Sequence, residues 1–156
     1  MIDFNPSKES TVGVEVEAQL VDNGSGDLVN IAESIVNEYG DEDRVKHELY
    51  LSTVEVTSSP ALNTNDTYSE LSSIVSKVLD IAQKQNAGLI TTGTHPFALY
   101  EDQIITNVNP RYQEFADKYG WAVKRLLTFG MHVYVGMDSK EKAVAVHDEI
   151  RSYLPL

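Results

Sequence analysis

The sequence predicts an α+β fold, in which helices pack on one face of a largely antiparallel sheet. Residues 11–20 alternate between apolar and polar side chains, which is the period of a strand with one buried face. Apolar residues recur at helical spacing over about 28–39 and 65–86. At 156 residues the chain is about one domain long, so we expect 1–156 to form a single domain.

The first half of the chain contains at least two strands and two helices. We expect the first strand over about 11–22, a turn-rich loop after it, and then a helix over 28–39 that ends at Gly40. Residues 44–51 and 52–58 predict one or two further strands. A long amphipathic helix follows over about 65–86 and is expected to end at Gly88. Its inward residues are Leu71, Val75, Val78, Leu79 and Ala82.

The second half repeats this mixture. A short buried strand is expected over 89–94, and a helix is expected to open at Pro110 and to reach about residue 128. Residues 131–135 predict a further strand. Asp138 and Glu141 have the spacing of a capping box, which predicts the start of the last helix.

Composition excludes several classes of function. The 156 residues include 24 acids and 12 bases, a formal charge of −12, which argues against nucleic acid as a partner. The absence of cysteine excludes disulfides, a thiol nucleophile and thiolate metal sites. We find no apolar stretch long enough to cross a membrane and no basic start typical of a signal peptide, so we expect a cytoplasmic protein.

Glu15 and Glu17 are the first candidates for function. They lie two residues apart on the first strand, so both carboxylates leave the same face, with their Cα atoms roughly 6.5–7 Å apart. Two like charges at this spacing favour a hard cation such as Mg²⁺, which proteins often share with substrate phosphates. The alternative is an ordinary solvated polar face on a half-buried strand.

Glu55 is the second acidic candidate. Its strand neighbours Thr53 and Thr57 have the same parity, so its carboxylate is expected on the polar face. If its strand pairs with the first strand, three carboxylates converge, and no Lys or Arg of the same parity neutralises them. Taken alone, Glu55 fits a surface strand residue better than a ligand.

Two histidines have a defined context. His132 lies on the strand over 131–135 and is either a ligand or a hydrogen-bonded packing residue. His95 precedes Pro96, which favours an extended backbone, and it either binds substrate or phosphate or caps a turn. The sequence contains no phosphate-binding loop, no dinucleotide-binding glycine motif and no Ser/His/Asp signature.

Five segments in order resemble the glutamate–cysteine ligase type 2 family, and within it the carboxylate–amine ligases. They are Gly13-Val14-Glu15-Val16-Glu17, His47-Glu48 with Val54-Glu55-Val56-Thr57, Gly93-Thr94-His95-Pro96-Phe97, Arg111-Tyr112, and Phe129-Gly130-Met131-His132-Val133-Tyr134-Val135-Gly136. The resemblance implies a glutamine-synthetase-like fold whose curved antiparallel sheet holds two or three Mg²⁺ ions and ATP. It also implies a reaction in which a carboxylate, typically that of glutamate, is phosphorylated and an amine such as cysteine displaces the phosphate.

The resemblance assigns roles to individual residues. The expected metal ligands are Glu15, Glu17, Glu48, Glu55 and His132. The residues expected near substrate or ATP are Thr57, His95, Arg111 and Tyr112. The family often carries a second histidine in the late strand where this chain has Tyr134, and a phenol is a poor ligand for Mg²⁺.

Family members are more than twice as long as this chain, so we expect 1–156 to correspond to their amino-terminal portion. That portion alone is expected to be weakly active or inactive, and to self-associate or to pair with a complementing carboxy-terminal half through exposed apolar surface. The alternative function is a non-catalytic module that binds Mg²⁺-nucleotide or a partner chain. The sequence does not identify the amine.

Overall fold

The computed structural model describes residues 3–154, which form a five-stranded sheet with flanking helices. The strands follow the order β2-β3-β1-β4, and β5 also pairs with β1; each of these pairings is antiparallel. The strands are β1 (Val12–Asp22), β2 (Val45–His47), β3 (Thr53–Thr57), β4 (Ala87–Ile90) and β5 (Met131–Val135). The helices are α1 (Ala32–Tyr39), α2 (Thr64–Gln83), α3 (Pro110–Tyr119), α4 (Trp121–Lys124) and α5 (Lys140–Ile150), with a 3₁₀ turn at Tyr100–Asp102. The α+β prediction is confirmed.

β1 organises the sheet because both of its edges are paired. One edge pairs with β3 over Glu15–Gln19, which confirms that these two strands are neighbours. The other edge is divided between two strands, β5 along residues 12–16 and β4 along residues 19–22. Glu17 lies at the point where the two meet, and its backbone N–H donates to the carbonyl oxygen of Gly130 at 2.9 Å.

The hydrophobic core lies between α1, α2 and one face of the sheet. Ala18 and Leu20 of β1 and Val54 and Val56 of β3 are at most 3% exposed. They pack with residues from both helices, among them Ile35, Val36, Ile74, Val78 and Ala82. Because side chains alternate along a strand, the residues of the other parity project from the opposite face.

The ends of the first two helices depart from the prediction. α1 begins at Ala32 rather than Leu28, because Leu28 forms a β-bridge with Val21; Gly40, with φ of 78°, does end the helix. α2 ends at Gln83, and the prediction that Gly88 terminates it was wrong. Gly88 lies within β4 opposite Val21.

The helix predicted from Pro110 to about residue 128 is two helices. Gly120 separates α3 from α4 and adopts φ 57° and ψ −131°, a conformation that residues with a Cβ rarely adopt. The apolar spacing continues across the break, so the periodic pattern did not reveal it.

The carboxy-terminal elements leave β5 largely uncovered. β5 has the predicted bounds, and each of its residues is exposed. The prediction that Asp138 caps the last helix was wrong: Ser139 is the N-cap of α5, and its hydroxyl accepts from the Lys142 backbone N–H at 3.3 Å. Across residues 3–154, no helix combines the length and the apolar character that crossing a membrane requires.

Candidate metal centre

Strand register places the predicted acidic residues on the sheet face opposite the hydrophobic core. Glu17 lies directly across from Glu55, and Glu15 lies across from Thr57 on one side and His132 on the other. The expectation that these carboxylates share one face therefore agrees with the strand pairing. Their roles as metal ligands remain predictions.

Glu48 joins this group although it lies just beyond the end of β2. The turn at Glu48 is held by the Leu49 backbone N–H, which donates to Glu48 Oε2 at 2.9 Å. One carboxylate oxygen from each of Glu17, Glu48 and Glu55 lies within 4.8 Å of the other two. Opposite ligands of an octahedral Mg²⁺ are about 4.2 Å apart, so the three oxygens fit one hard cation after small side-chain rotations.

The environment of Glu48 disfavours its charged form. Burial is the largest cause of its raised pKa, the negative charges of Glu17 and Glu55 add to it, and the hydrogen bond from Leu49 opposes it. A divalent cation relieves the repulsion among the three carboxylates. The group is thus chemically suited to Mg²⁺, which prefers oxygen ligands.

Glu15 is engaged by side chains of β5 and β2. The Tyr134 hydroxyl donates to Glu15 Oε2 at 2.6 Å, and His132 Nδ1 is 3.7 Å from the same oxygen. This hydrogen bond is the main cause of the raised pKa of Tyr134. Tyr134 is therefore a neutral donor to a predicted ligand, a role that does not require its oxygen to coordinate metal.

The expectation that no basic residue neutralises this face was wrong, because Lys46 lies against two of its carboxylates. β2 places Lys46 opposite Glu55, and Lys46 Nζ lies 3.0 Å from Glu55 Oε1 and 3.9 Å from Glu15 Oε1. The ammonium also donates to Thr57 Oγ1 at 3.2 Å, and Thr57 in turn donates to Glu55 at 3.1 Å. The expectation was wrong because it considered only residues of β1 and β3.

Sequence reasoning could have found Lys46. β2 and β3 are joined by a short turn and pair as a hairpin, so a register centred on Tyr50 and Leu51 places residue 46 opposite residue 55. A second contact was not accessible from the sequence. The backbone N–H of Gly130 donates to Glu17 Oε2 at 2.9 Å, across 113 residues of chain.

A cavity of about 440 Å³ opens beside the acidic group. Glu17, Glu48, Tyr112 and His132 contribute polar atoms to its lining, and its apolar walls include Leu49, Phe115, Leu126 and Phe129. Burial and the charges of Glu48 and Glu55 raise the pKa of Tyr112 to about 12, so this phenol remains a neutral hydrogen-bond donor. The cavity combines an anionic wall with apolar surface.

Arg111 lies at the start of α3, next to Tyr112. Its side chain is exposed, and its backbone N–H donates to the N-cap side chain of Asn109 at 3.0 Å. Its positive charge lowers the pKa of Tyr112 and so partly offsets the effect of the carboxylates, but Arg111 is not among the residues that line the cavity.

His95 has backbone partners for both ring nitrogens. Nε2 donates to the carbonyl oxygen of Gly26 at 2.9 Å, and Nδ1 accepts from the Ala98 N–H at 3.0 Å. The residue is 7% exposed, and its ring lies edge-on to Phe97. This geometry agrees with the alternative that His95 stabilises a loop; a contact with substrate remains a prediction.

Comparisons with known proteins bear on the family of this chain. The model of the glutamate-cysteine ligase family 2 matches residues 11–156. A protein of Leifsonia xyli subsp. xyli, provisionally named glutamate–cysteine ligase 2, is 33% identical over 99% of this chain and 42% of its own length. A protein of Frankia alni, provisionally named glutamate–cysteine ligase 2-1, is 37% identical over 99% of this chain and 42% of its own length. This chain thus spans about two fifths of these relatives.

A solved structure supports the fold. The crystal structure of glutamate–cysteine ligase from Francisella tularensis, in complex with AMP, matches with a TM-score of 0.67. The match covers 92% of this chain and 30% of that chain, at 14% sequence identity, and therefore bears on the fold alone. The family match covers most of the sequence. It includes β1, β2, β3 and β5, the strands of the acidic face that carries Glu15, Glu17, Lys46, Glu55 and His132. The chain belongs to the glutamate-cysteine ligase family 2.

Proposed function

We propose that this chain forms the amino-terminal, cation-binding portion of an ATP- and Mg²⁺-dependent carboxylate–amine ligase of the glutamate–cysteine type. The observation that carries the proposal is the convergence of Glu17, Glu48 and Glu55 within 4.8 Å, beside a cavity and in a chain of this family. The substrates of such a ligase are ATP, glutamate or a similar carboxylate, and an amine such as cysteine.

The residues of the acidic face suit phosphoryl transfer, which depends mainly on positioning and on neutralising charge. Bound Mg²⁺ supplies that neutralisation, and Glu17, Glu48 and Glu55 are the residues that hold it in this proposal. Glu15 and His132 extend the ligand set along β1 and β5, which gives room for the two or three ions expected of the family. The hydrogen bond from Gly130 to Glu17 fixes the direction of one of these carboxylates.

The cavity supplies contacts for the organic part of the substrates. Its apolar walls suit an adenine ring or the aliphatic part of an amino acid, and Tyr112 offers a neutral donor. Arg111 provides a positive charge for a phosphate or carboxylate. The AMP bound to the Francisella protein supports a nucleotide as one ligand. In this proposal Thr57 positions Glu55 and Lys46 through its hydrogen bonds to both, and His95 stabilises the neighbouring loop.

The exposed apolar residues of β5 support the proposal that another chain completes the site. Met131, Val133 and Val135 are 53–65% exposed and share one parity of the strand. Within residues 3–154, β1 is the strand that pairs with β5. An apolar strip on a strand with one unpaired edge favours pairing with another strand or with a second copy. We therefore propose that the active form is a homo-oligomer or a complex with a carboxy-terminal half, in the cytoplasm where ATP and Mg²⁺ are abundant.

The function is tested by measuring ADP release from ATP, Mg²⁺ and glutamate with a panel of amines. The assay is run with the chain alone and with the carboxy-terminal half of a relative added in trans. Glu17→Gln should abolish Mg²⁺-dependent nucleotide binding and any ADP release, whereas Glu114→Gln, the same change on the exposed side of α3, should alter neither. Equal binding of Mg²⁺-ATP by Glu17→Gln and the parent would refute the proposal.

One observation favours a second candidate, a non-catalytic module that binds Mg²⁺-nucleotide or a partner chain. Glu15 is already engaged by Tyr134 and Lys46, which reduces the number of carboxylates free for cations. The same assay separates the two functions. Intact Mg²⁺-ATP binding without ADP release, in both the presence and the absence of the added half, would identify the module.

A further inference from the structure

Lys46 occupies a position on the acidic face where three oxygen atoms surround its ammonium. Glu55 Oε1, Thr57 Oγ1 and Glu15 Oε1 lie 3.0, 3.2 and 3.9 Å from Nζ. The side chains of Glu55 and Glu15 are only 14% and 20% exposed, against 40% for Lys46. The ammonium therefore points from β2 into the less exposed part of the sheet face, toward two carboxylates rather than one.

This position adjoins the group formed by Glu17, Glu48 and Glu55 and shares one residue with it. Glu55 belongs to both, because it contacts Lys46 and also contributes an oxygen to the three-carboxylate group. On the far side of Lys46, Glu15 is followed by His132, whose Nδ1 lies 3.7 Å from Glu15 Oε2. Removing the ammonium would leave the three oxygens that now surround it, Glu55 Oε1, Thr57 Oγ1 and Glu15 Oε1, as donors, and carboxylate oxygens suit Mg²⁺ and Mn²⁺.

We propose that the Lys46 ammonium takes the place of a second divalent cation, so that the chain without nucleotide binds one ion, at Glu17, Glu48 and Glu55. This inference rests on the proposed function, since it presumes that those three residues bind metal. Together the side chains carry four negative charges and one positive charge, a formal sum of −3; they are Glu15, Glu17, Glu48, Glu55 and Lys46. One divalent ion brings the sum to −1, and a second would make it positive unless a nucleotide supplies negative charge.

An ordinary surface ion pair would not change the number of divalent ions that the chain binds. Such pairs contribute little, and replacing their lysine changes nothing that depends on metal. Lys84 and Glu38 form a pair of this kind at the end of α2, with side chains 64% and 43% exposed. The Lys84 pair supplies a matched control, because Lys84→Met removes an ammonium from one exposed glutamate outside the strands of the acidic face.

The experiment counts Mn²⁺ ions, used in place of Mg²⁺, by electron paramagnetic resonance of the free ion in a titration without nucleotide. The parent, Lys46→Arg and Lys84→Met should each bind one ion per chain. Lys46→Met should bind two, with the second at most about tenfold weaker than the first, and Lys46→Met combined with Glu15→Gln should return to one. Circular dichroism checks that each variant is folded, and Lys46→Gln replaces Lys46→Met if the latter does not fold.

Equal stoichiometry in the parent and in the uncharged Lys46 variant would overturn the inference, whether the number is one or two. Tighter binding at a single site would also overturn it, because it would show a long-range charge effect only. Two ions bound by Lys46→Arg would also overturn the inference, because arginine keeps the positive charge at this position. If the parent binds one ion and the variant also binds one, the proposed function stands; if neither binds Mn²⁺, both proposals fail.

Discussion

Glu48→Gln should stabilise the protein in the absence of divalent cations. The substitution removes one of three carboxylates whose oxygens lie within 4.8 Å of one another. At that distance two unit charges repel by about 0.9 kcal/mol in a dielectric of water, so Glu17 and Glu55 together contribute about 1.7 kcal/mol. Salt at 0.15 M reduces this by roughly half, because the Debye length is about 8 Å. The glutamine oxygen can still accept from the Leu49 N–H, so we expect a net gain of about 1 kcal/mol.

The measurement is thermal unfolding in EDTA, followed by circular dichroism. For a domain of this size, 1 kcal/mol corresponds to a rise in Tm of about 2–4 °C.

The stabilising effect of Glu48→Gln must depend on pH. The pKa of Glu48 is raised above its ordinary value of 4.5, so in the window above 4.5 the folded state binds more protons than the unfolded state. Parent stability therefore falls as pH rises through that window, and the advantage of Glu48→Gln should be present at pH 7.5 and absent at pH 4.

Mg²⁺ should reverse the order of the two proteins. At a concentration about 100 times its Kd, a ligand stabilises the folded state by about 2.7 kcal/mol, and the parent should gain this more fully than the variant. Glu114→Gln, on an exposed position of α3, is the control and should shift Tm in neither condition. A Tm for Glu48→Gln that is equal to or lower than that of the parent in EDTA at pH 7.5 would refute the reasoning.

Two further substitutions test the framework around the site. Gly120→Ala should lower the free energy of unfolding by about 1–3 kcal/mol, because φ of 57° and ψ of −131° strain a residue with a Cβ; no atom lies within 4 Å of the new Cβ, so strain is the only cost. Urea unfolding measures this, and Gly13→Ala, also without a clash and without positive φ, should cost nothing. His95→Ala should lose about 2 kcal/mol or more, since it leaves the Gly26 carbonyl and the Ala98 N–H without their partner. An unchanged urea midpoint for His95→Ala, matching that of the exposed His147→Ala, would contradict the loop-stabilising role.

The acidic face could be predicted from local pattern because the period of a strand is two. The alternation in residues 11–20 fixed which side chains of β1 share a face, and the same rule applied to Thr53–Thr57. Pairing of these strands then brought Glu17 opposite Glu55. Gly40 likewise ended α1 as expected, because few residues other than glycine adopt positive φ readily.

Helix ends were less predictable because periodicity does not report where backbone hydrogen bonds stop. Apolar spacing runs through Gly120, yet the chain turns there. The residues after Gln83 carry no apolar stripe, and the turn at Asn86, with φ of 57°, redirects the chain so that Gly88 enters a strand. In both regions a residue with positive φ turns the chain, and apolar spacing does not report that conformation.

The sequence by itself determined the chemistry that is available on this face: four glutamates, a histidine and no cysteine. Only the tertiary structure decided how their charges are balanced. Lys46 meets Glu55 through the register of β2, Tyr134 meets Glu15 across 119 residues, and Gly130 meets Glu17 across 113. The physical reason is that charge balance depends on distances of 3–4 Å between strands, and pairing register sets those distances, whereas spacing along one strand does not.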